Sequence, residues 1–444
     1  PPPWPAPAPA AASAAVGTTP AGEAAGRAAT AQSAAASDAA EVTAGVRDAD
    51  GTEGGTATGA ANELLAVEIP DAHLWSPDDP YLYDVDVTLT DGDSTDTVAS
   101  YAGMRSIEVS EVDGVQRILL NGERTFLMST LDQGYWPDGI YTPASDEAYV
   151  FDLQAHKDLG FNTVRKHIKV EPARWYHHAD TLGLMVWQDI PSGWFNNGDT
   201  DPASRVFWEQ EMKTIIDQHR SVPSIVGWVT FNEGWGEWNL ADTARIGNVI
   251  DEYDPSRILN THSGYNCCAS KGDSKTGDII DWHQYTGPAL PKPDATRAAI
   301  DGEHGGFSMS VPGHLGPGVG ARRAGGVARG AGGTDAYVQN TEKLVRPAQC
   351  YLSGSVYTEI SDVENELNGF YTYDRRVLKM DAARVKDVNE RVVAAAVQGS
   401  APVDPGTPGL TGTGRWSFDA GQGTTAAGGV GARGASGAGG GGAG

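Results

Sequence analysis

What most restricts the fold of this chain is a change of period near Val115. From there on, short apolar runs alternate with longer stretches whose apolar residues recur every three or four positions. An apolar run without alternation reads as a strand buried on both faces, and the longer stretches read as helices packed over it. Eight runs can be counted, at 125–132, 161–168, 184–190, 225–231, 258–263, 279–285, 298–304 and 352–360. Helical stripes fall between them. Ser145 is a candidate N-cap for a stripe of Ala148, Phe151, Ala155 and Leu159, and 172–182 forms a second helix. Trp208, Met212, Ile215, Ile216 and His219 share a third face, and Ile246, Val249, Ile250 and Tyr253 a fourth. A last helix is predicted over 335–349. The stripes are poor between the fifth, sixth and seventh runs. Strand then helix, repeated over this length, predicts an α/β fold whose simplest closed form is a (β/α)8 TIM barrel.

Ahead of the barrel the pattern differs. Short runs at 42–46, 64–69, 82–89 and 97–101 are separated by Asp-Gly turns at Asp50-Gly51 and Asp91-Gly92. Tyr83, Val85, Val87 and Leu89 alternate onto one face. This predicts a small immunoglobulin-like β-sandwich. The expected division is therefore a low-complexity, disordered 1–40, a sandwich over 41–110 and a barrel domain over 111–397. A Gly-rich insertion at 316–333 and a Gly-rich tail at 398–444 have almost nothing to bury and are expected to be disordered.

Net charge is −26, from 32 basic and 58 acidic residues, which argues against nucleic acid or an anionic membrane as partner. No apolar run approaches a membrane span, and no signal peptide is visible, so both an extracellular and a cytoplasmic location stay open. Oligomeric state is not indicated. The three cysteines, Cys267, Cys268 and Cys350, match neither a disulfide framework nor a zinc spacing, and are expected to be buried thiols.

The chemistry concentrates at two strand ends. The run 225–231 breaks into Asn232, Glu233, Gly234, Trp235 and Gly236. Taken alone, Glu233 could simply cap the next helix. Glu303, however, stands in the same kind of position near the end of the seventh run. In a barrel both would stand at the C-terminal mouth, facing each other across one cleft. Two such carboxyls are the minimum equipment for glycoside hydrolysis. Asn232 could hold a substrate hydroxyl, and Tyr285 could donate to a neighbouring carboxylate. Arg165, on the second strand, could keep Glu303 ionised or could serve an internal ion pair. Asp132 ends the first strand. Tyr135, Trp136, Trp194, Trp235 and Trp238 follow strand ends, and two or three of them are expected to stack on sugar rings. His167, His262 and His283 come from separate strands without ligand spacing. Hydrogen bonding to groups at the site is expected of them rather than metal binding. No cofactor or metal is expected.

Here the residues reach a family. LWSPDDPYLYDVDVTL (74–89), GMRSIEV (103–109), LNGERTFL (120–127), LGFNTVRKH (159–167), LGLMVWQDIP (182–191) and FNEGWG (231–236) together resemble glycoside hydrolase family 2, which contains β-galactosidases, β-glucuronidases and β-mannosidases. The resemblance covers roughly 41–396. It implies a sandwich before a barrel and a retaining mechanism, with Glu233 as acid/base and Glu303 as nucleophile. Arg165 and His167 match the family's strand-two Arg and His. Two departures stand out. The family's N-terminal sugar-binding domain has no counterpart, its place being taken by 1–40. Tyr357 stands on strand eight where many members carry Trp. Separately, 414–427 is similar to the first strand of laminin-G-like jelly rolls.

The sequence thus predicts a retaining exo-β-glycosidase acting on terminal β-linked sugars, of β-galactosidase type. Glu233 and Glu303 are the catalytic candidates. Asn232, Arg165, His167, Asp132, Trp136, Trp235, His283, Tyr285 and Tyr357 are the substrate-binding candidates. The alternatives are a truncated, catalytically impaired carbohydrate-binding protein and an endo-acting barrel hydrolase.

Overall fold

A computed structural model describes residues 40–61, 65–193, 201–285, 287–316 and 333–398. The sequence expectations placed on 1–39, 317–332, 399–444 and Trp194 lie outside the described residues.

The first unit is a four-stranded antiparallel sheet of β1 (Glu41–Arg47), β2 (Glu53–Ala60), β3 (Tyr83–Asp91) and β4 (Ser94–Ala102), in the order β2-β1-β3-β4. Val42, Ala44 and Val46 alternate inward with Tyr83, Val85 and Val87. The run 64–69 was expected to be a strand. Instead it crosses the sheet face as an extended segment whose Leu65, Val67 and Ile69 fill the core. β2, rich in Gly, Thr and Ala, takes the ladder position beside β1. It escaped the sequence reading because it carries no large apolar residue.

A hairpin of β5 (Ile107–Val112) and β6 (Val115–Leu120), with the short β7 (Glu123–Arg124), forms a three-stranded sheet. Ile107, Ile118 and Leu120 pack against Val226, Ile258, Ile279, Ala298 and Ile300 at the starts of the barrel strands, so this sheet plugs the bottom of the barrel. Buried arginines tie it down. Arg105 donates to the carbonyls of Pro223, Ile225 and Ser256, and Arg117 to those of Ala348, Gln349 and Leu352. Most of these carbonyls lie at or beside the ends of elements, where backbone partners run out.

All eight predicted barrel strands form: β8 (Leu127–Asp132), β9 (Thr163–Lys166), β10 (Met185–Asp189), β11 (Ile225–Asn232), β12 (Ile258–Ser263), β13 (Ile279–Gln284), β14 (Ala298–Gly305) and β15 (Leu352–Thr358). They are parallel, in the order β12-β11-β10-β9-β8-β15-β14-β13. Between β12 and β13 one backbone bond, from Asp278 N to Leu259 O at 2.7 Å, is supplemented by side chains. Asp278 Oδ2 accepts from the Leu259 amide at 2.7 Å, and Asn266 exchanges bonds of 2.9 and 3.0 Å with the backbone of His283.

The helices are α1 (Asp146–Asp158), α2 (Ala173–Leu182), α3 (Pro202–His219), α4 (Leu240–Tyr253), α5 (Gly333–Thr341), α6 (Val345–Cys350) and α7 (Ala382–Gln398). No helix separates β12, β13 and β14 among the described residues, where the stripes were poor. Ser145 takes the N-cap position of α1 without a side-chain capping bond. The stripe expected on α1 is corrected: Phe151 faces solvent, and the buried side includes Tyr149, Asp152, Leu153 and His156. Polar residues turn inward there because partners await them. Asp152 pairs with Arg375 at 3.0 Å, and His156 Nε2 meets Thr130 Oγ1 at 2.8 Å. A hydrophobic periodicity cannot register a buried ion pair. Among the described residues no helix is long and apolar enough to cross a membrane.

Candidate active site

β11 is buried along its whole length and ends in Asn232. The chain then turns sharply, and Glu233 itself has φ +52°, a left-handed conformation that a residue with a side chain adopts only when its surroundings impose it. Two backbone bonds do so here: Glu233 N donates to Ser263 O at 2.9 Å, and Ala269 N donates to Glu233 O at 3.0 Å. Gly234 follows at φ +80°, where a Cβ would lie 2.1 Å from the carbonyl carbon of Ala269. The turn aims the Glu233 carboxyl into a cavity of about 250 Å³ above the C-terminal ends of the strands. Glu303 reaches the same cavity from β14, and both glutamates are largely buried.

His283, on β13, links the two. Its Nδ1 lies 2.9 Å from Glu233 Oε1 and 3.8 Å from Glu303 Oε1. Its Nε2 lies 2.7 Å from Ser263 Oγ, whose own hydrogen goes to Asp281 Oδ2 at 2.7 Å. With Ser263 donating to Asp281, Nε2 of His283 donates to Ser263, and Nδ1 also donates when Glu233 is ionised. Burial alone would lower the pKa of His283. The charges of Glu303 and Asp281 and the bond to Glu233 outweigh it and hold the pKa above the ordinary value.

Glu303 is gripped from three sides. Arg165 Nη1 lies 3.2 Å from its Oε1, Tyr285 Oη donates to its Oε2, and His283 stands behind. Burial alone would raise its carboxyl. The positive charges of His283, Arg165 and His167, with the Tyr285 hydroxyl, reverse that and hold it below the usual glutamate range. Arg165 is itself buried on β9 between the Asp189 carboxylate, at 3.0 and 3.2 Å, and Asn232 Oδ1, at 2.8 Å. It therefore fills both roles considered for it, as an internal ion pair and as a partner of Glu303. Tyr285 Oη also lies 3.4 Å from Glu233 Oε1, so one hydroxyl spans both carboxylates.

Among the other predicted residues, Asn232, His167 and Trp235 line the cavity with Glu233, Glu303 and Tyr285. His167 is fixed by Asp189, with Nδ1 at 2.7 Å from Oδ2. His262 stands apart and accepts from the Ser274 amide through Nε2 at 3.1 Å.

Five predicted residues do not line the cavity: Arg165 and His283 stand behind it against the glutamates, and Asp132, Trp136 and Tyr357 turn elsewhere. Asp132 is buried against Lys166 Nζ at 2.8 Å and accepts from the Gly134 amide. Its neighbours Leu131 and Gln133 face the cavity instead. Trp136 is buried beneath the Arg375 guanidinium, 4.2 Å from the ring centroid. Tyr357 packs into the core against Tyr337 and Phe370, its hydroxyl donating to Asn368 O at 3.0 Å, and Thr358 takes the cavity-facing position. For Asp132 and Tyr357 the error is one residue, which in a strand exchanges the two faces. Of the aromatic residues expected to form sugar platforms, Trp235 alone among the described ones lines the cavity; Trp238 packs edge-on against Trp208.

Cavity residues the sequence reading missed are Gln133, Gly305, Gly306, Ser308, Thr358, Glu366 and Asn368. Gln133 and Thr358 were findable as strand-end neighbours. Glu366 and Asn368 come from the loop after β15 and carry no periodic signal. Partial burial, with the negative charges of Glu303 and Glu233, raises the Glu366 carboxyl above its ordinary value.

Glu233, His283 and Glu303 each offer one ligand atom within a 4.8 Å group, as do Glu233, Cys267 and Cys268. In the first group the atoms already bond one another. In the second, Cys267 and Cys268 are joined as a disulfide, which corrects the expectation of buried thiols, and Cys268 is exposed. Cys350 is free. The arrangement as a whole is a pair of carboxyls at one cleft, of which Glu303 is held as a negative charge.

A sequence profile for the family described as Glycosyl hydrolases family 2 matches residues 18–105. A putative β-glucuronidase of Formosa agariphila is 26% identical over 240 residues, covering 52% of this chain and 22% of that protein. A β-galactosidase of Lactococcus lactis is 26% identical over 215 residues, covering 47% of this chain and 20% of that protein. The chain thus spans about a fifth of the length of these relatives in the matched region. A solved structure, the Lactobacillus rhamnosus β-glucuronidase, superposes with a TM-score of 0.67 at 18% identity, covering 85% of this chain and 67% of that one. This last likeness speaks for the fold.

Proposed function

We propose that the chain is a member of glycoside hydrolase family 2, as its similarities suggest, and that it is a retaining exo-β-glycosidase acting on terminal β-linked sugars. The observation that carries the proposal is the placement of Glu233 and Glu303 in one cavity, with one carboxyl oxygen from each within 4.8 Å. That closeness favours the separation of about 5–5.5 Å expected when one carboxylate attacks directly over the wider spacing of an inverting pair.

The roles are those the family resemblance implies, and the setting of Glu303 supports its part. Glu303, held ionised by Arg165, His283 and Tyr285, is the nucleophile. It attacks the anomeric carbon as the glycosidic bond breaks, and Glu233 gives its proton to the departing oxygen. Glu233, now a carboxylate, takes a proton from water. The resulting nucleophile displaces Glu303 and restores the β configuration. Asn232 and His167 meet ring hydroxyls, and Trp235 offers a face for the sugar or its leaving group. The finer assignment, β-galactosidase type, rests on the motif resemblance.

The test is hydrolysis of a panel of aryl β-glycosides by the purified chain, with the anomer of the first-formed sugar read by NMR. Release of the β-anomer is expected. Release of the α-anomer would refute the double displacement, and an absence of turnover on every glycoside would refute the enzymatic reading.

A further inference from the structure

Taking the cleft as the glycosidase site proposed above, we infer that Glu366, together with Asn368, reads the hydroxyls of a neutral sugar and excludes uronic acid glycosides. Glu366 faces the cavity that holds Glu233 and Glu303, and Asn368 Nδ2 lies 3.4 Å from its Oε2. Three glutamates therefore look into one cavity of about 250 Å³. Among the described residues, no lysine or arginine lines it. Arg165, which pairs with Glu303, is fully buried, with its N–H groups directed at Asp189, Glu303, Asn232 and the Gly302 carbonyl. His167 is committed to Asp189.

Among the described residues, a sugar carboxylate in this space would meet like charge and no lysine or arginine free to pair with it, and desolvating two facing carboxylates is costly. A hydroxymethyl or ring hydroxyl there would instead donate to Glu366 while accepting from Asn368. An ionised acceptor makes the stronger kind of hydrogen bond. The inference separates this chain from the relatives named as glucuronidases, whose substrates carry that carboxylate.

The experiment compares kcat/KM on p-nitrophenyl β-galactoside, β-glucoside and β-glucuronide for the wild type, Glu366→Gln and Glu366→Lys. The wild type should favour the better neutral glycoside over the glucuronide by at least about a hundredfold. Losing a bond to a charged acceptor should cost Glu366→Gln at least about tenfold on that neutral substrate, mainly in KM. Its neutral-to-uronide ratio should fall, and Glu366→Lys should gain glucuronide activity. A wild type that prefers the glucuronide, or a ratio unmoved in both variants, overturns the inference.

Should no glycoside turn over, the enzymatic reading fails, but the inference stays testable by calorimetry with gluconolactone and glucaro-1,5-lactone. Tighter binding of the neutral lactone, with the gap closing in Glu366→Gln, supports it. Equal binding, uronic preference or no binding of either overturns it.

Discussion

Arg165 Nη1 on β9 lies 3.2 Å from Glu303 Oε1 on β14, reaching across the barrel interior between strands that are not neighbours in the sheet. The same guanidinium holds Asp189 and Asn232, so it fixes the residue beside one glutamate while neutralising the other. A planar fork with several donors can do this, and an ammonium cannot.

Arg165→Lys should therefore lower kcat by two orders of magnitude or more. It should also move the acidic limb of the kcat/KM profile to higher pH. The sign follows from Glu303, whose pKa is held below the ordinary value in the folded protein. Its ionised form dominates until the pH falls through that lowered pKa, and removing the well-placed charge raises the pKa again. Tyr285→Phe, which deletes one donor with little change of volume, should shift the limb in the same direction by less. Profiles that superpose with the wild type would show that neither residue sets the charge on Glu303.

Glu233→Gln and Glu303→Gln should differ in how they fail. Without a proton donor, glycosides with good leaving groups such as dinitrophenolate still undergo the first step, whereas alkyl glycosides do not. Glu233→Gln should thus lose about 10²–10⁴-fold on alkyl glycosides and far less in the first step with dinitrophenyl substrates. Glu303→Gln should be inactive on both. Pre-steady-state release of dinitrophenol makes the distinction, and equal losses on both substrates for Glu233→Gln would remove it as the acid.

Gly234→Ala tests the turn that aims Glu233. The added Cβ would meet the Ala269 carbonyl carbon at 2.1 Å and its oxygen at 2.3 Å, in a backbone at φ +80°. No side chain can yield to relieve this, so the loop must move. A loss of about 1–3 kcal/mol of stability is expected, with a larger loss of activity. Urea denaturation and kcat measured together check it. A variant as active as the parent would show that the turn is not needed to place the carboxyl.

Asp180 on α2 links the antiparallel unit to the barrel. It accepts from Tyr101 Oη at 2.7 Å and from the Ser224 amide at 2.9 Å, while its own carbonyl receives Trp75 Nε1 at 2.8 Å. Burial pushes its carboxyl up to about 6, against the opposing effect of those two donors. Because the folded pKa lies above the unfolded one, the unfolded chain ionises first as pH rises. Stability from this group is full below about pH 4 and is lost as pH climbs through about 6. Asp180→Asn keeps the acceptor for Ser224 and does not ionise. Its stability relative to the wild type should therefore rise by about 3 kcal/mol between pH 4 and 7. A relative stability that stays flat over that range would show that Asp180 does not carry this dependence.

The barrel was legible in the sequence because its signal is local and repeated. A buried parallel strand favours a near-continuous apolar run, its helix an apolar stripe, and 225–231 shows the run without reference to any other part of the chain. Glu233 and Glu303 were legible for the same reason, since each stands near the end of such a run. Which face a strand-end residue takes was decided only by the fold. Pleat alternation sent Asp132 to Lys166 and Tyr357 into the core, and left Leu131, Gln133 and Thr358 facing the cavity. Contacts between distant segments were likewise beyond any periodicity. The grip of Arg165 on Glu303, the two-sided bonding of His283 and the arrival of Glu366 from the loop after β15 all depend on closing the barrel, which brings together side chains that the sequence holds far apart.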